Sequence, residues 1–320
     1  MSVRKKPEGK DWEDFVDKWY GSNHIAKVNL AREQDVTYEV AKHWISESGA
    51  TRHRTIPTPV VNLYGDRQNT PSSLTTKPGV SRAVVLGDTH SPYQDNEVVE
   101  GVEHFLGEIK PDYLFYNGDL NDFYQVSDFS KDPARLAYLQ DDIDVTTSMF
   151  KRHRDLLPEA KLVFIEGTHE NRWFKYLQDK APAVSKLRGS SIPALYNLKG
   201  LGIEHALFER GVLVNQTFLI IHGDIVSKHS GATAKAHYEK NGGSGICNHT
   251  HRLGSFFHRS RFGTFGWWEN GCLCQLNPDW VINPNWQQGF SVISFEDTGR
   301  FFVEQVPIID GRFIYGGKLY

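Results

Sequence analysis

The stretch RAVVLGDTH, residues 82–90, decides the fold. Ala83 to Leu86 read as a short buried strand, and polar residues follow it at once. The same texture returns in DYLFYNGDLND (112–122), KLVFIEGTHE (161–170), TFLIIHGD (217–224) and GSGICNHTH (243–251). Apolar runs this short, rich in Val, Ile, Leu and Phe, are buried strands. Asn96–Ile109 and Pro133–Leu157 lie between such runs and are long enough to be crossover helices. The expectation is an α/β layered domain. After Arg252 the chain turns aromatic and glycine-rich. There FFHRSRFGTFGWW, GCLCQL, FSVISF and RFFVEQVPII read as antiparallel strands of a second sheet packed on the first.

Each buried run ends in chemistry. The first offers Asp88 and His90. The second offers Asp119, then Asn121 and Asp122. The third offers Thr168, His169, Glu170 and Asn171, the fourth His222 and Asp224, the fifth His249 and His251. The carboxyl ends of strands in open α/β sheets border a ligand crevice. In Asp-x-His and His-x-His, the two-residue strand period sends both side chains to one side. Any one of these residues alone reads as a turn former, a helix cap or a partly buried histidine. Five strand ends in concert read as a metal site. Aspartate and histidine suit Mn²⁺, Fe, Zn²⁺ or Mg²⁺, and a pair of such ions clamps the attacking and leaving oxygens of a phosphoester.

In order and spacing, Gly87–His90, Gly118–Asp122, Gly167–Glu170, His222-Gly223 and Asn248–His251 resemble the motif series of the calcineurin-like metallophosphoesterases, of the phage and bacterial type. The match runs over residues 83–252, about half the chain. The resemblance implies a four-layer α/β/β/α metallophosphoesterase sandwich. It implies that Asp88, His90 and His251 hold one metal, that Asp119 bridges, and that His222 and His249 hold the second metal with Thr168. His169 would lie outside the metals and protonate the leaving oxygen or stabilise the transition state. Asp122 and Glu170 would orient His169 or a ligand histidine. The cofactor would be two divalent ions, Mn²⁺ first, with Fe, Zn²⁺, Mg²⁺ or Ni²⁺ as alternatives. Hydrolysis would use a hydroxide activated by the two metals, without a covalent intermediate.

Two positions depart from that pattern. Thr168 stands where asparagine is usual, and a short hydroxyl predicts a weaker second site. Asn248 stands where glycine is usual, and asparagine tolerates the positive φ of a tight turn. Around the site, Arg252, Asn171, Arg172, Lys228 and His229 are candidate substrate contacts, and Lys175–Ser191 can form a basic wall. Trp267, Trp268, Trp280 and Trp286 read as sheet packing in preference to stacking on bases. Cys272-Leu273-Cys274 reads as strand packing in preference to metal binding.

The chain has 320 residues, 39% hydrophobic and 23% charged, with a net charge of −3. That is soluble globular composition, with no global field for nucleic acid or an anionic membrane. Three cysteines give no disulfide framework and point to a reducing compartment. No apolar segment suggests a signal peptide or a membrane span. The expected setting is the cytoplasm, that of the host if the chain is phage-encoded.

Upstream of the α/β region, residues 1–64 read as a small all-helical domain. Trp12, Phe15, Val16 and Trp19 fall at helical spacing. Ile25, Val28 and Leu30-Ala31 begin a second pattern, Asp35 to Thr37 a turn, and Val40, Trp44 and Ile45 a third helix capped by Thr37. LAREQDVTYEVAKHWISESG resembles a helix-turn-helix, followed by Arg52-His53-Arg54, so residues 20–54 are a candidate DNA contact. Residues 1–60 nevertheless hold ten Lys/Arg against nine Asp/Glu. Residues 65–80 read as a linker and 81–320 as the metallophosphoesterase domain. The function expected first is hydrolysis of a nucleic acid or nucleotide phosphodiester. A phosphomonoesterase acting on phosphoproteins or small phosphorylated metabolites is the alternative. A non-catalytic DNA-binding protein with a degenerate metal site comes last. Oligomeric state is not legible.

Overall fold

The computed structural model describes residues 10–21, 24–34, 36–47, 71–279 and 281–320. Contacts divide the chain into two units, Met1–Gly65 and Asp66–Tyr320. The first unit contains α1 (Lys10–Gly21), α2 (His24–Glu33) and α3 (Tyr38–Glu47). Phe15, Val16 and Trp19 share one face of α1 and bury against Ala31, Ala41 and Ile45. Thr37 caps α3, its hydroxyl accepting from the Val40 amide at 3.4 Å. Asp35, the side chains of Ile25 and Val28, and the basic triplet Arg52-His53-Arg54 lie outside the described residues.

The second unit is a mixed α/β fold built on two six-stranded sheets. One contains β2 (Val80–Leu86), β3 (Tyr113–Asn117), β4 (Lys161–Ile165) and β5 (Ile203–Ala206) in parallel. The antiparallel pair β11 (Gly289–Glu296) and β12 (Phe301–Pro307) joins it beside β2. The other sheet takes β1 (Ser72–Leu74), β6 (Val212–Val214), β7 (Phe218–Ile220), β8 (Ser244–Cys247), β10 (Gly263–Glu269) and β9 (Gly254–Ser260), in that spatial order. A small hairpin, β13 (Ile314–Tyr315) with β14 (Lys318–Leu319), ends the chain.

Strand periodicity decides which residues go where. Val84, Leu86, Leu114, Tyr116, Leu162 and Phe164 meet Val98, Val102 and Phe105 of α4 (Asn96–Ile109) and Ile143 and Phe150 of α5 (Leu139–Leu156). Their neighbours Ala83, Val85, Phe115, Val163 and Ile165 meet Val212, Val214, Phe218, Ile220 and Ile246 of the opposite sheet. Both faces of β2–β4 are therefore buried, and the sequence shows continuous apolar runs in place of alternation. Ala234, on α8 (Ala232–Asn241), packs with Cys247 and Trp267 behind the second sheet. The packing order is helices, sheet, sheet, helix.

The structure corrects three expectations. The segment expected as a linker supplies a strand: Ser72–Leu74 pairs in parallel with β6. Only Leu74 of the three is buried, so an edge strand of two serines and one leucine reads as loop. The late aromatic runs do not form a sheet of their own. FSVISF and RFFVEQV extend the first sheet, while the β9–β10 hairpin extends the second. GCLCQL is not a strand and makes only isolated bridges, Gln94 with Cys274 and Cys272 with Gln288.

One buried group sets an acid limit on stability. His237 of α8 is 1% exposed, stacks on Trp267 with centroids 5.4 Å apart, and has no hydrogen-bond partner on either ring nitrogen. Burial, against the pull of Asp224, holds its pKa down to about 4. Its neutral form belongs to the fold. The associated stability is intact above its ordinary value of about 6.5 and is lost as pH falls from there towards 4, by roughly 3 kcal/mol. His237→Leu should flatten the acid limb of the urea midpoint plotted against pH. An unchanged limb would count against this assignment.

Candidate metal centre

Three strands of one sheet and two of the other bring their carboxyl ends together. Asp88 and His90 follow β2, Asp119 and Asp122 follow β3, and Thr168, His169 and Glu170 open α6 (Thr168–Asp179) after β4. His222 follows β7, and His249 and His251 follow β8. The strand period does not aim these side chains, because the strands stop short of them. Asp88, His90, Asp119, His249 and His251 instead have φ of 50°, 49°, 52°, 75° and 55°. Left-handed backbone at five non-glycine residues is strain that the surrounding structure must hold. Asn248, expected to need positive φ, is not among the positive-φ residues.

The loops are tied to one another. The amides of Asp88 and His90 donate to the carbonyls of Gly118 and Asp119, each at 3.0 Å. At Gly118, φ is +80°, and an added Cβ would lie 2.6 Å from the Gly167 backbone. At Gly167 a Cβ would lie 2.2 Å from Asp119 Oδ1. Glycine at both positions lets the β3 and β4 ends approach closely.

Four groups of three ligand-type side chains have donor atoms within 4.8 Å of one another among the described residues. Two match the expected sets. In the first, His90 Nε2 lies 2.9 Å from His251 Nε2, and Asp88 Oδ1 lies 3.8 Å from the former and 3.5 Å from the latter. In the second, Asp119 Oδ2 lies 3.0 Å from His222 Nε2. The Thr168 hydroxyl donates to Asp119 Oδ2 at 2.9 Å and lies 3.4 Å from His249 Nδ1. The hydroxyl is thus placed beside the second set, as a short donor.

The electrostatics call for cations. Burial would raise the pKa of Asp88, but His251, His90 and His222 hold it far below the usual carboxylate range. Asp119 is held low against its burial by His222 and His169. Asp122 is held low against burial by His169 and His90. Burial alone would lower His90, yet the neighbouring carboxylates of Asp122 and Asp88 push it up to about 10. Asp119 likewise pushes His222, against its burial, up to about 9. Burial and the neighbouring His222 hold His249 down to about 4. The buried carboxylates thus favour positive charge beside them, which divalent ions supply. Asp88 Oδ1 and His251 Nδ1 are buried without a hydrogen-bond partner. Orphaned acceptors and crowded imidazole nitrogens are a donor set that fits two divalent cations.

Three neighbours support the ligands. Asn248 Nδ2 donates to Asp88 Oδ2 at 2.8 Å, and its Oδ1 accepts from Asn117 at 2.8 Å. Gly87 makes room for it, since a Cβ there would lie 2.5 Å from Asn248 Nδ2. Glu170 does not orient His169. Its carboxylate accepts from the amides of Gly167 at 2.8 Å and of Asp119 and Leu120 at 2.9 Å each. Asp122 does face the histidines, with Oδ1 3.1 Å from His169 Nδ1 and 3.4 Å from His90 Nδ1.

His169 is half-buried, and burial keeps its pKa below the ordinary value. Its amide donates to Asp119 Oδ1 at 2.7 Å. Nδ1 lies 2.9 Å from the Asp122 carbonyl, and Nε2 lies 2.8 Å from Arg172 Nη2. Arg172, expected to touch substrate, thus covers the outer face of His169. Arg172 also donates to the Asp122 carbonyl at 2.9 Å. A cavity of about 600 Å³ opens beside this pair, with Tyr93, Tyr124, Phe129, Arg135 and Trp286 in its walls.

Other expected contacts fall elsewhere. Arg252 turns away and donates to the Ser227 carbonyl at 2.7 Å. Lys228 and His229 are exposed, Asn171 is half-buried, and none of these four lines the cavity. Trp267 and Trp268 are packed in the fold, and Trp280 lies outside the described residues. Trp286 sets its ring against His251, centroids 4.4 Å apart. Cys272 and Cys274, expected as strand packing, sit buried in a loop beside His251. Hydrogen bonding of its S–H towards Cys272, together with burial, pushes the Cys274 thiol well up.

Replacing Thr168 with asparagine lengthens the donor beside Asp119 and His249. It should tighten the weaker of two Mn²⁺ sites by about tenfold in calorimetric titration, in the range that support around a ligand set commands. Unchanged titrations, or two equally tight sites in the parent chain, would contradict the weak-hydroxyl account.

No family model matches the chain. It is similar to the Gene 54 protein of Mycobacterium phage D29, 27% identical over 253 residues covering 75% of this chain and 98% of that protein. The Gene 54 protein of Mycobacterium phage L5 is 26% identical over the same length and shares of each chain. Among solved structures, similar ones include wild-type Vps29 complexed with Zn²⁺ from Entamoeba histolytica, at 12% identity, TM-score 0.40, covering 75% of this chain and 97% of that one. A dimetal phosphatase from Danio rerio is similar at 8% identity, TM-score 0.38, covering 71% of this chain and 96% of that one. No helix among the described residues is long and apolar enough to cross a membrane.

Proposed function

We propose that the chain is a metal-dependent phosphoesterase of the calcineurin-like type that hydrolyses a nucleic acid or nucleotide phosphodiester. The observation that carries this is the pair of buried Asp/His sets flanking Asp119, with His169 and Arg172 at their open side. Asp88, His90 and His251 would hold one divalent ion. Asp119, His222, His249 and the Thr168 hydroxyl would hold the other. The ions, when bound, would lower the pKa of a water and neutralise charge on the phosphoryl group.

The chain's own residues do the rest. Asp122 holds the Nδ1 side of His169, leaving Nε2 towards the cavity. Arg172 covers that nitrogen in this state. A phosphoryl oxygen is the stronger acceptor for a guanidinium, so substrate draws Arg172 onto itself and uncovers Nε2. Once uncovered, Nε2 takes up a proton from solvent and His169 hands that proton to the leaving oxygen. Room exists on both sides of Arg172. It borders the larger cavity and also one of about 260 Å³ that reaches Thr168, Lys175 and Lys180. Two ester arms fit such a site better than one. The similar phage proteins are consistent with work in a host cytoplasm.

Hydrolysis of bis(p-nitrophenyl) phosphate and p-nitrophenyl phosphate, with Mn²⁺ and with chelator, tests this. Metal-dependent cleavage with the diester faster is the expected result. A faster monoester overturns the diester assignment, and no cleavage with any divalent ion overturns hydrolysis altogether.

A further inference from the structure

The larger cavity has a chemistry that phosphoryl transfer alone does not require. Its walls are flat. The Arg135 guanidinium lies over the Tyr124 ring at 4.0 Å and over the Tyr93 ring at 5.3 Å from the centroids. Phe129, 67% exposed, stands at the mouth with Arg172 5.6 Å over its ring. Trp286 closes the side next to His251. Ser130 and Gln275 also line the cavity and offer donors and acceptors. Stacked planar faces with a few polar edges recognise a flat heteroaromatic ring.

We infer that this cavity is a nucleobase site, and that the substrate carries an unpaired nucleoside on one arm of its phosphodiester, with the base beside Phe129 and Trp286. The hydrolytic half of that statement rests on the phosphoesterase proposal; the base site does not. A base in an intact duplex is stacked on both faces and cannot enter a walled cavity without leaving the helix. Single strands, strand ends and nucleotides can. Phe129 and Arg172 border both cavities, so the base, the phosphate and the second arm can lie in one line. Lys175 and Lys180 stand by the further cavity for the onward phosphate chain.

Calorimetry on the full chain with AMP and with ribose 5-phosphate, at one divalent-ion concentration, isolates the base. Both ligands share the phosphate and the sugar. AMP should bind about tenfold more tightly or better, the scale of one base stacking on an aromatic ring. Phe129→Ala, at an exposed position, should narrow that ratio, and Val281→Trp, which fills the cavity, should abolish it. Equal affinities for the two ligands in the parent chain, or a ratio untouched by both variants, would overturn the base site. Bis(p-nitrophenyl) phosphate is run alongside. If it is not hydrolysed while the AMP preference stands, the hydrolysis proposal falls and the base site remains.

Discussion

His169→Ala should lower kcat for bis(p-nitrophenyl) phosphate by about 10²–10⁴-fold, the usual worth of a positioned proton donor. The geometry specifies which steps suffer. His169 lies beside both ligand sets, its amide on Asp119 and its ring between Asp122 and Arg172. Removing the ring leaves Asp88, His90, His222, His249 and His251 in place, so the metal content should not change. The loss should fall on kcat, with KM moved far less, because Arg172 still meets the phosphate. An activity within threefold of the parent would remove His169 from the chemistry. A lost metal ion in the variant would instead make it a ligand.

Glu170→Ala should destabilise the second unit by about 3–5 kcal/mol, the range for stranding partners of a buried charged group. Glu170 is 0% exposed. It gathers the amides of Gly167, Asp119 and Leu120, which would otherwise be buried donors without acceptors. Burial and the charge of Asp119 push its pKa up to about 7, against the pull of those amides. The melting temperature should fall by roughly 10 °C for a unit of this size. Glu170→Gln keeps the volume and one acceptor oxygen and should fall between the two. A melting temperature within 2 °C of the parent for Glu170→Ala would show that the loop ends do not depend on this carboxylate.

The strands β2, β3, β4, β7 and β8 were legible because each is apolar on both faces and ends abruptly in polar residues. The candidate ligands were legible for the same reason: aspartates and histidines stand directly after those runs. The mechanism that aims them was not. Sequence spacing suggested the two-residue strand period, whereas left-handed backbone at Asp88, His90, Asp119, His249 and His251 turns the side chains inward. A φ value leaves no trace in residue spacing unless a glycine marks it.

Roles that depend on distant partners were also hidden. Glu170 sits next to His169 in sequence but bonds the end of β3, 50 residues away. Asn248 looked like a turn residue and holds Asp88 across 160 residues. β1 was hidden because Ser72 and Ser73 carry no apolar signal; Asn215, reaching Thr76, helps to fix the chain there. The cavity draws Tyr93, the pair Phe129 and Arg135, and Trp286 from three separate connections, and no local pattern in any of them announces a common wall.

As proposed, two divalent ions would occupy the Asp88/His90/His251 and Asp119/His222/His249 sets. Metal content after equilibration with Mn²⁺ and removal of the free ion tests it most directly. The expected result is two ions per chain, one in His222→Ala, and none after chelation. A parent chain that retains no Mn²⁺, Fe, Zn²⁺ or Mg²⁺ would contradict the account.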